Sequence, residues 1–302
     1  MPPYIYFQKE YRPLSEAKIG IMTNFVHYGT GAIEGIRGNW NEEKQQLYLF
    51  RLEAHYERLL SGCRILKIDL PYTIDDFCRI TVETVRKGEF REDVYIRPIA
   101  YKSTEAIGVR LHNLEADFAV FAFPWGPYLD MDKACCCISS WRRPKEVPQA
   151  KLSGLYINSA LAKTEATESG FHEALMLTSD GYVSEGSGEN IFIVHGDKLI
   201  TPPPTDVIIV GITRDTIIQL AKNELNLDTV ERRIEHSELY TAHECFLTGT
   251  AANVTPVAEI DRRQIGNGEV GEVTTKLRDL YFDVIQGKNP KYRNWCTPVY
   301  QD

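Results

Sequence analysis

A lysine in the run Pro148-Gln149-Ala150-Lys151-Leu152-Ser153-Gly154 opens the stretch of this chain best suited to covalent chemistry. Most lysines are solvated surface charges. Lys151 instead sits between apolar or small neighbours. An amine with few waters around it has a lowered pKa, and its neutral form can condense with a carbonyl. After it, Leu155, Ser159, Ala162 and Ala166 recur at helical spacing, with Lys163 and Glu165 off that face. A strand over 174–178 follows, then the turn Ser179-Asp180-Gly181, a second short strand, and a Ser/Gly-rich loop with two carboxylates, Glu185 and Glu189. Turn chemistry and alternation predict a hairpin. Further on, Gly211-Ile212-Thr213 opens a predicted helix over 214–226. Free backbone N–H groups at such an end form an anion site. Thr213 either adds a hydroxyl to that site or simply caps the helix.

The loop Glu185-Gly-Ser-Gly-Glu-Asn190-Ile-Phe192 is followed by Leu199-Ile-Thr201 and then Ile209-Val-Gly211-Ile-Thr213-Arg214. This combined spacing resembles the signature of the class IV pyridoxal-phosphate aminotransferases, the branched-chain and D-amino-acid aminotransferase family. Every fixed element stands in order. The motifs His27-Tyr-Gly-Thr, Glu34-Gly-Ile-Arg37, His55-x-x-Arg58-Leu59, Tyr95-Ile-Arg97-Pro98, Phe123-Pro-Trp-Gly-Pro-Tyr128 and Gly249-Thr-Ala-Ala252 also look like branched-chain aminotransferase motifs. The resemblance thus spans nearly the whole chain. It implies the mixed α+β and α/β fold of the type IV pyridoxal-phosphate enzymes, D-amino-acid aminotransferase-like. A small N-terminal α/β domain would cover 1–124, an interdomain loop 125–132, and a larger cofactor-binding domain with a β-barrel-like core 133–302. It also implies a homodimer or higher homo-oligomer, with part of the pocket supplied by the second subunit.

Transamination asks four things of the protein: an amine that anchors the cofactor and moves a proton, a partner for the pyridine nitrogen, anion donors for the phosphate, and a pocket that orients the substrate carboxylate. The cofactor, pyridoxal 5'-phosphate, supplies the electron sink. By resemblance Lys151 is the anchoring and proton-moving lysine, and such a lysine works best with a pKa near ~7–8. A carboxylate keeps the ring nitrogen protonated. Glu185 and Glu189 both suit that role on chemistry, and the motif match selects Glu185. Tyr156 resembles the tyrosine near the cofactor's phenolic oxygen, the alternative being a core tyrosine. Arg58, Ile212, Thr213 and Thr250 resemble the phosphate cup, where a guanidinium gives bidentate contacts. Tyr95, with the backbone of Thr250 and Ala251, looks like the carboxylate site. Tyr28, Ile33, Arg97, Val109, Trp125, Tyr128 and Tyr156 resemble the side-chain pocket. Arg97 would meet the glutamate carboxylate at the edge of an apolar pocket, or else form a structural ion pair. Two positions depart from the pattern. Ile33 stands where the branched-chain enzymes usually carry Phe, and Leu155 where many relatives carry Asn. Neither touches the cofactor set; both bear on the substrate range.

The rest of the composition narrows the field. The chain has 302 residues, 43% hydrophobic and 25% charged, which suggests about two domains. A formal charge of −8 argues against nucleic acid, because phosphate neutralisation needs excess Lys and Arg. No apolar run approaches the ~20 residues of a membrane span. The N-terminus lacks the basic head and apolar core of a signal peptide, which points to the cytoplasm. Seven cysteines without CxxC spacing read as free thiols in a reducing compartment, and the seven histidines show no zinc spacing, so no metal is expected.

Helices are predicted over 53–67, 74–87 with Thr73 as cap, and 268–287. Strands are predicted over 94–101, 117–123, 134–141 and 244–248. The Gly-rich run 27–37 suits a close backbone approach. Two other activities share this fold, D-amino-acid or (R)-amine transamination and aminodeoxychorismate lysis. Tyr95-x-Arg97 and Gly-Thr-Ala-Ala favour the branched-chain group. A cofactor-free binding protein of the same fold would not need Lys151 and Glu185 together.

Overall fold

The computed structural model describes residues 3–126, 132–145 and 150–300. The chain divides into two compact units. The first comprises Met1–Gly126, Ala150–Leu155 and Asp283–Asp302; the second comprises Pro127–Gln149 and Tyr156–Phe282.

The first unit is built on an antiparallel sheet. Its strands run in the order Cys296–Pro298, Gln46–Phe50, Ile36–Asn41, Val94–Lys102, Ala116–Pro124, Tyr4–Phe7, Glu10–Pro13, and Gly31–Ile33 also pairs with Val94–Lys102. Helices Leu52–Ile65 and Ile74–Lys87 pack against each other, and the second lies on Tyr4–Phe7 and Ala116–Pro124. The second helix begins where its cap predicts. Thr73 Oγ1 accepts from the Asp76 amide, and the Asp76 carboxylate accepts from the Thr73 amide at 3.0 Å. Together they satisfy two of the helix's unpaired N–H groups. Arg86 and Lys87 in its last turn face the negative end of its dipole. Beneath, the ring of Tyr56 stacks on Phe77 and Phe118 meets Phe77 edge-on, with centroids 5.0 and 4.7 Å apart.

The segment Ala150–Leu155 docks on the Gly-rich run. Leu152 bridges to Ala32, the Ile33 amide donates to the Lys151 carbonyl at 2.9 Å, and the Gly154 amide donates to the Gly29 carbonyl at 3.2 Å. Gly29 has φ +60°, and a Cβ there would lie 2.7 Å from the Gly154 Cα. Only glycine permits that approach.

The second unit carries a mixed sheet in the order Val183–Gly186, Glu173–Leu177, Ala134–Arg142, Asn253–Ile260, Glu244–Gly249, Asn190–His195, Lys198–Thr201, Thr229–Glu231. Ala134–Arg142 is parallel to both of its neighbours. The ends of the sheet approach each other. Tyr182 bridges to Glu235, and the Val183 amide donates to the Ile234 carbonyl at 2.9 Å, so the sheet curls towards a barrel. Leu175, Val183, Ile191, Ile193, Leu247 and Val257 are part of the inner core. Helix Tyr156–Glu168 lies outside on Ala134–Arg142 and Glu173–Leu177, burying Ser159, Ala162 and Ala166 as the spacing predicts, while Leu155 ends the turn before it, half-buried. Glu173–Leu177 does not alternate in burial: all five residues are buried. Leu175 and Leu177 face the inner core, while Ala174 and Met176 face that helix.

All seven cysteines are free, and burial holds the Cys136 thiol well above its usual value. Among the described residues no helix is long and apolar enough to cross a membrane.

Candidate active site

In the first unit three of the candidate residues, Ile33, Tyr95 and Arg97, share one face of the sheet. Tyr95 and Arg97 alternate with buried neighbours on Val94–Lys102 and so project to the same side. The register sets Phe123 opposite Tyr95, Phe121 opposite Arg97, and Ile33 opposite Ile99. Cross-strand partners lie on the same face, which brings Ile33, Tyr95 and Arg97 together. Trp125 packs edge-on to Tyr95, with ring centroids 4.5 Å apart. Arg97 Nη2 donates to the Tyr95 hydroxyl at 3.1 Å, and its guanidinium lies 5.1 Å from the Tyr95 ring centroid. Among the described residues no carboxylate pairs with Arg97, so the structural ion pair finds no partner there. Gly35 makes room for this arrangement, since a Cβ at that position would lie 1.9 Å from the Tyr95 hydroxyl oxygen.

Lys151 is half-buried beside this face, its carbonyl tied to Ile33. The Tyr28 hydroxyl accepts from the Gly108 amide at 2.9 Å. Its neighbour Val109 is 90% exposed, so it lines no pocket within the unit. Arg58 Nε and Nη2 donate to the two oxygens of Glu34 at 2.7 and 2.8 Å. Tyr128 lies outside the described residues.

In the second unit Glu185 sits on Val183–Gly186 with both oxygens engaged. Arg143 Nη2 lies 2.8 Å from Oε1, while Asn190 Nδ2 and the Ile209 amide donate to Oε2 at 3.0 and 2.9 Å. Glu189 stands in a different environment. Burial, together with the charges of Glu173 and Glu185, pushes its carboxyl up to about 8. It turns back on its own loop, its Oε2 accepting from the Gly188 amide at 3.1 Å. A group that holds a pyridinium proton must be ionised. Glu185, next to a guanidinium, suits that role; Glu189 suits it poorly.

Asn190 also donates to the Ile209 carbonyl at 2.8 Å. It therefore ties Glu185 to the loop that enters helix Ile212–Leu225. The N-cap of that helix is Gly211, which has no side chain to cap the first amides. Ile212 and Thr213 are buried in that first turn. Backbone amides and a threonine hydroxyl at a helix start are the donors a phosphate dianion needs. Thr250 and Ala251 occupy the turn between Glu244–Gly249 and Asn253–Ile260, half-buried. Tyr156 begins helix Tyr156–Glu168 and is half-buried. The residue types fit the cofactor: a lysine amine, a carboxylate paired with a guanidinium, an arginine, and a helix start whose N-cap is glycine. Sequence reasoning misses Arg143 as the cationic neighbour of Glu185, and nothing in its local sequence marks it.

The family profile of amino-transferase class IV matches residues 31–260. A probable branched-chain-amino-acid aminotransferase of Aquifex aeolicus is 51% identical over 301 residues, covering 98% of this chain and 97% of its own. Among solved structures, the branched-chain amino acid aminotransferase of Thermobaculum terrenum in its pyridoxal-phosphate form superposes with a TM-score of 0.95 at 38% identity, covering 99% of each chain. The branched-chain aminotransferase of the thermophilic archaeon Thermoproteus uzoniensis, solved with norvaline, superposes with a TM-score of 0.94 at 42% identity, covering 98% of this chain and 99% of its own. On its profile match, its full-length likeness and its fold, the chain belongs to the class IV aminotransferases, the pyridoxal-phosphate enzymes of fold type IV.

Proposed function

We propose that this enzyme transfers the amino group of leucine, isoleucine or valine to 2-oxoglutarate, giving the branched-chain 2-oxo acid and L-glutamate. The observation that carries the reading is the face holding Ile33, Tyr95, Trp125 and Arg97. Its aliphatic and aromatic surface suits a branched side chain. Its arginine, without a carboxylate partner among the described residues, suits the second carboxylate of glutamate. The names of the relatives support the same class of amino donor.

The cofactor, when bound, supplies the electron sink. The chain's residues do the rest. Lys151 Nζ anchors the cofactor and moves a proton at the reacting carbon. Glu185 holds the proton on the ring nitrogen, oriented by Arg143 and Asn190. Tyr156 would lie near the cofactor's phenolic oxygen. Arg58, Ile212, Thr213 and Thr250 bind the phosphate, and Tyr95 with the amides of Thr250 and Ala251 orients the substrate carboxylate. Tyr28, Val109 and Tyr128 complete the pocket, Val109 from the second subunit of a homodimer. We place the enzyme in the cytoplasm, supported by its seven free cysteines. We place the domain change in residues 125–132, supported by the first unit's leading segment ending at Gly126.

The test is a panel of amino donors with 2-oxoglutarate as acceptor. Leucine, isoleucine and valine should give the highest kcat/KM. D-alanine or an (R)-amine outpacing leucine would remove the substrate assignment and leave the fold and cofactor.

A further inference from the structure

Two residues of the sequence motifs, Glu34 and His55, take no part in these steps, yet the first unit joins them into one buried cluster around Arg58. His55 and Arg58 stand three residues apart on helix Leu52–Ile65 and so project from one side of it. Glu34 reaches them from the link between strands Gly31–Ile33 and Ile36–Asn41. Its side chain is fully buried. Arg58 Nε meets Oε1 at 2.7 Å, Arg58 Nη2 meets Oε2 at 2.8 Å, and His55 Nδ1 meets Oε2 at 2.8 Å. The Glu34 backbone is held as well, its amide donating to the Pro98 carbonyl at 3.0 Å.

This arrangement fixes the plane of the guanidinium. Two parallel N–H···O bonds set both the position and the rotation of a planar group, whereas a single contact sets neither. Burial alone would raise the Glu34 carboxyl, but Arg58 and His55 hold it well below the usual carboxylate range. Burial also lowers His55, with Arg58 and Lys151 adding to the effect and Glu34 opposing it. A neutral imidazole has one N–H, and a carboxylate can only accept. Nδ1 therefore carries the proton and donates it to Glu34. Glu34 remains ionised and both its oxygens remain engaged.

We propose that Glu34, braced by His55, is a positioning residue that presents the Arg58 guanidinium to the cofactor phosphate. The inference rests on the assignment of Arg58 to that phosphate. Its effect should reach the phosphate arm of the cofactor and leave the ring alone.

The experiment compares two probes on the apoenzyme, pyridoxal 5'-phosphate and pyridoxal, by absorbance titration. The ratio of their dissociation constants measures what the phosphate contributes. In Glu34→Gln this preference should fall at least about tenfold, the effect of losing one charge-assisted contact, with pyridoxal binding unchanged. In the Arg58→Ala background, Glu34→Gln should cause no further fall. An unchanged preference in Glu34→Gln, or equal weakening of both probes, overturns the proposal. Arg58→Ala is the separate control. If it keeps the full preference, the phosphate assignment fails, and the positioning role fails with it. Should Glu34→Gln not fold, Glu34→Asp replaces it: the charge remains but is withdrawn by one methylene. A reduced preference supports the proposal, and an unreduced one overturns it.

Discussion

Two glutamates four residues apart illustrate how much of a site residue types can carry. On chemistry alone Glu185 and Glu189 are equal, and only the motif separates them. The structure supplies a physical difference: Arg143 beside Glu185, burial and carboxylate neighbours around Glu189. Arg143 is not legible in the sequence, because its contact with Glu185 spans 42 positions and depends on the sheet that joins them. We expect Glu185→Gln to lower kcat on the order of 100-fold, the scale of losing one preorganised electrostatic contact, with a smaller loss of cofactor occupancy. A kcat equal to wild type would move the role to Glu189. Position 33 is legible as a departure from the family, and the structure sets it across from Ile99, on the face of Tyr95 and Arg97. An isoleucine there leaves space where a ring would form a wall. Hydrophobic walls discriminate weakly, about 1–3 kcal/mol per methylene. Ile33→Phe should therefore raise the ratio of kcat/KM for leucine over phenylalanine. A ratio that does not rise takes position 33 out of the pocket.

Among the elements, those with local chemistry are legible and those made by tertiary pairing are not. The helix Ile74–Lys87 can be read to its ends because Thr73 and Asp76 form a capping box within four residues. The strands Ile36–Asn41 and Gln46–Phe50 are buried almost throughout, their polar residues Arg37, Asn39, Asn41 and Gln46 included, and sequence reasoning passes over them. Glu173–Leu177 is legible as a strand, but with the wrong burial pattern, because a helix covers the face expected to meet solvent. The loop entering helix Ile212–Leu225 shows how one element sets another. A Cβ on Gly211 would lie 2.1 Å from Asn190 Oδ1. Its φ of −72° is open to any residue, so the constraint is space and not backbone conformation. Gly211→Ala should displace Asn190, which also binds Glu185, and shift the first turn of the helix. We expect cofactor retention on dialysis to shorten roughly tenfold, the loss of one charged hydrogen bond. Retention equal to wild type would mean that the turn relaxes without the anion site noticing.

For the whole molecule, the question is what covers the apolar surface of the first unit. Ile21 is 77% exposed, Ile107 57% and Val109 90%. These side chains are not on a loose loop. Asn24 Nδ2 donates to the carbonyls of Ala106 and Gly108 at 3.4 and 3.3 Å, and the Gly108 amide donates to Tyr28. A fixed, exposed apolar group of this kind marks an association surface. The occupant we propose is a second copy, whose pocket Val109 would complete. A stable interface of this sort buries about 1,200–2,000 Å², and an aspartate within it would carry an unpaired charge out of water. We expect the wild type to sediment as a dimer or larger. Val109→Asp should shift it towards monomer and lower kcat/KM for leucine, while the absorbance of the lysine-bound cofactor persists, since Lys151, Glu185 and Arg58 all belong to one chain. A fully active wild-type monomer would remove the second subunit from the pocket. A Val109→Asp dimer with normal leucine turnover would show that this loop faces solvent and that other residues bound the side chain.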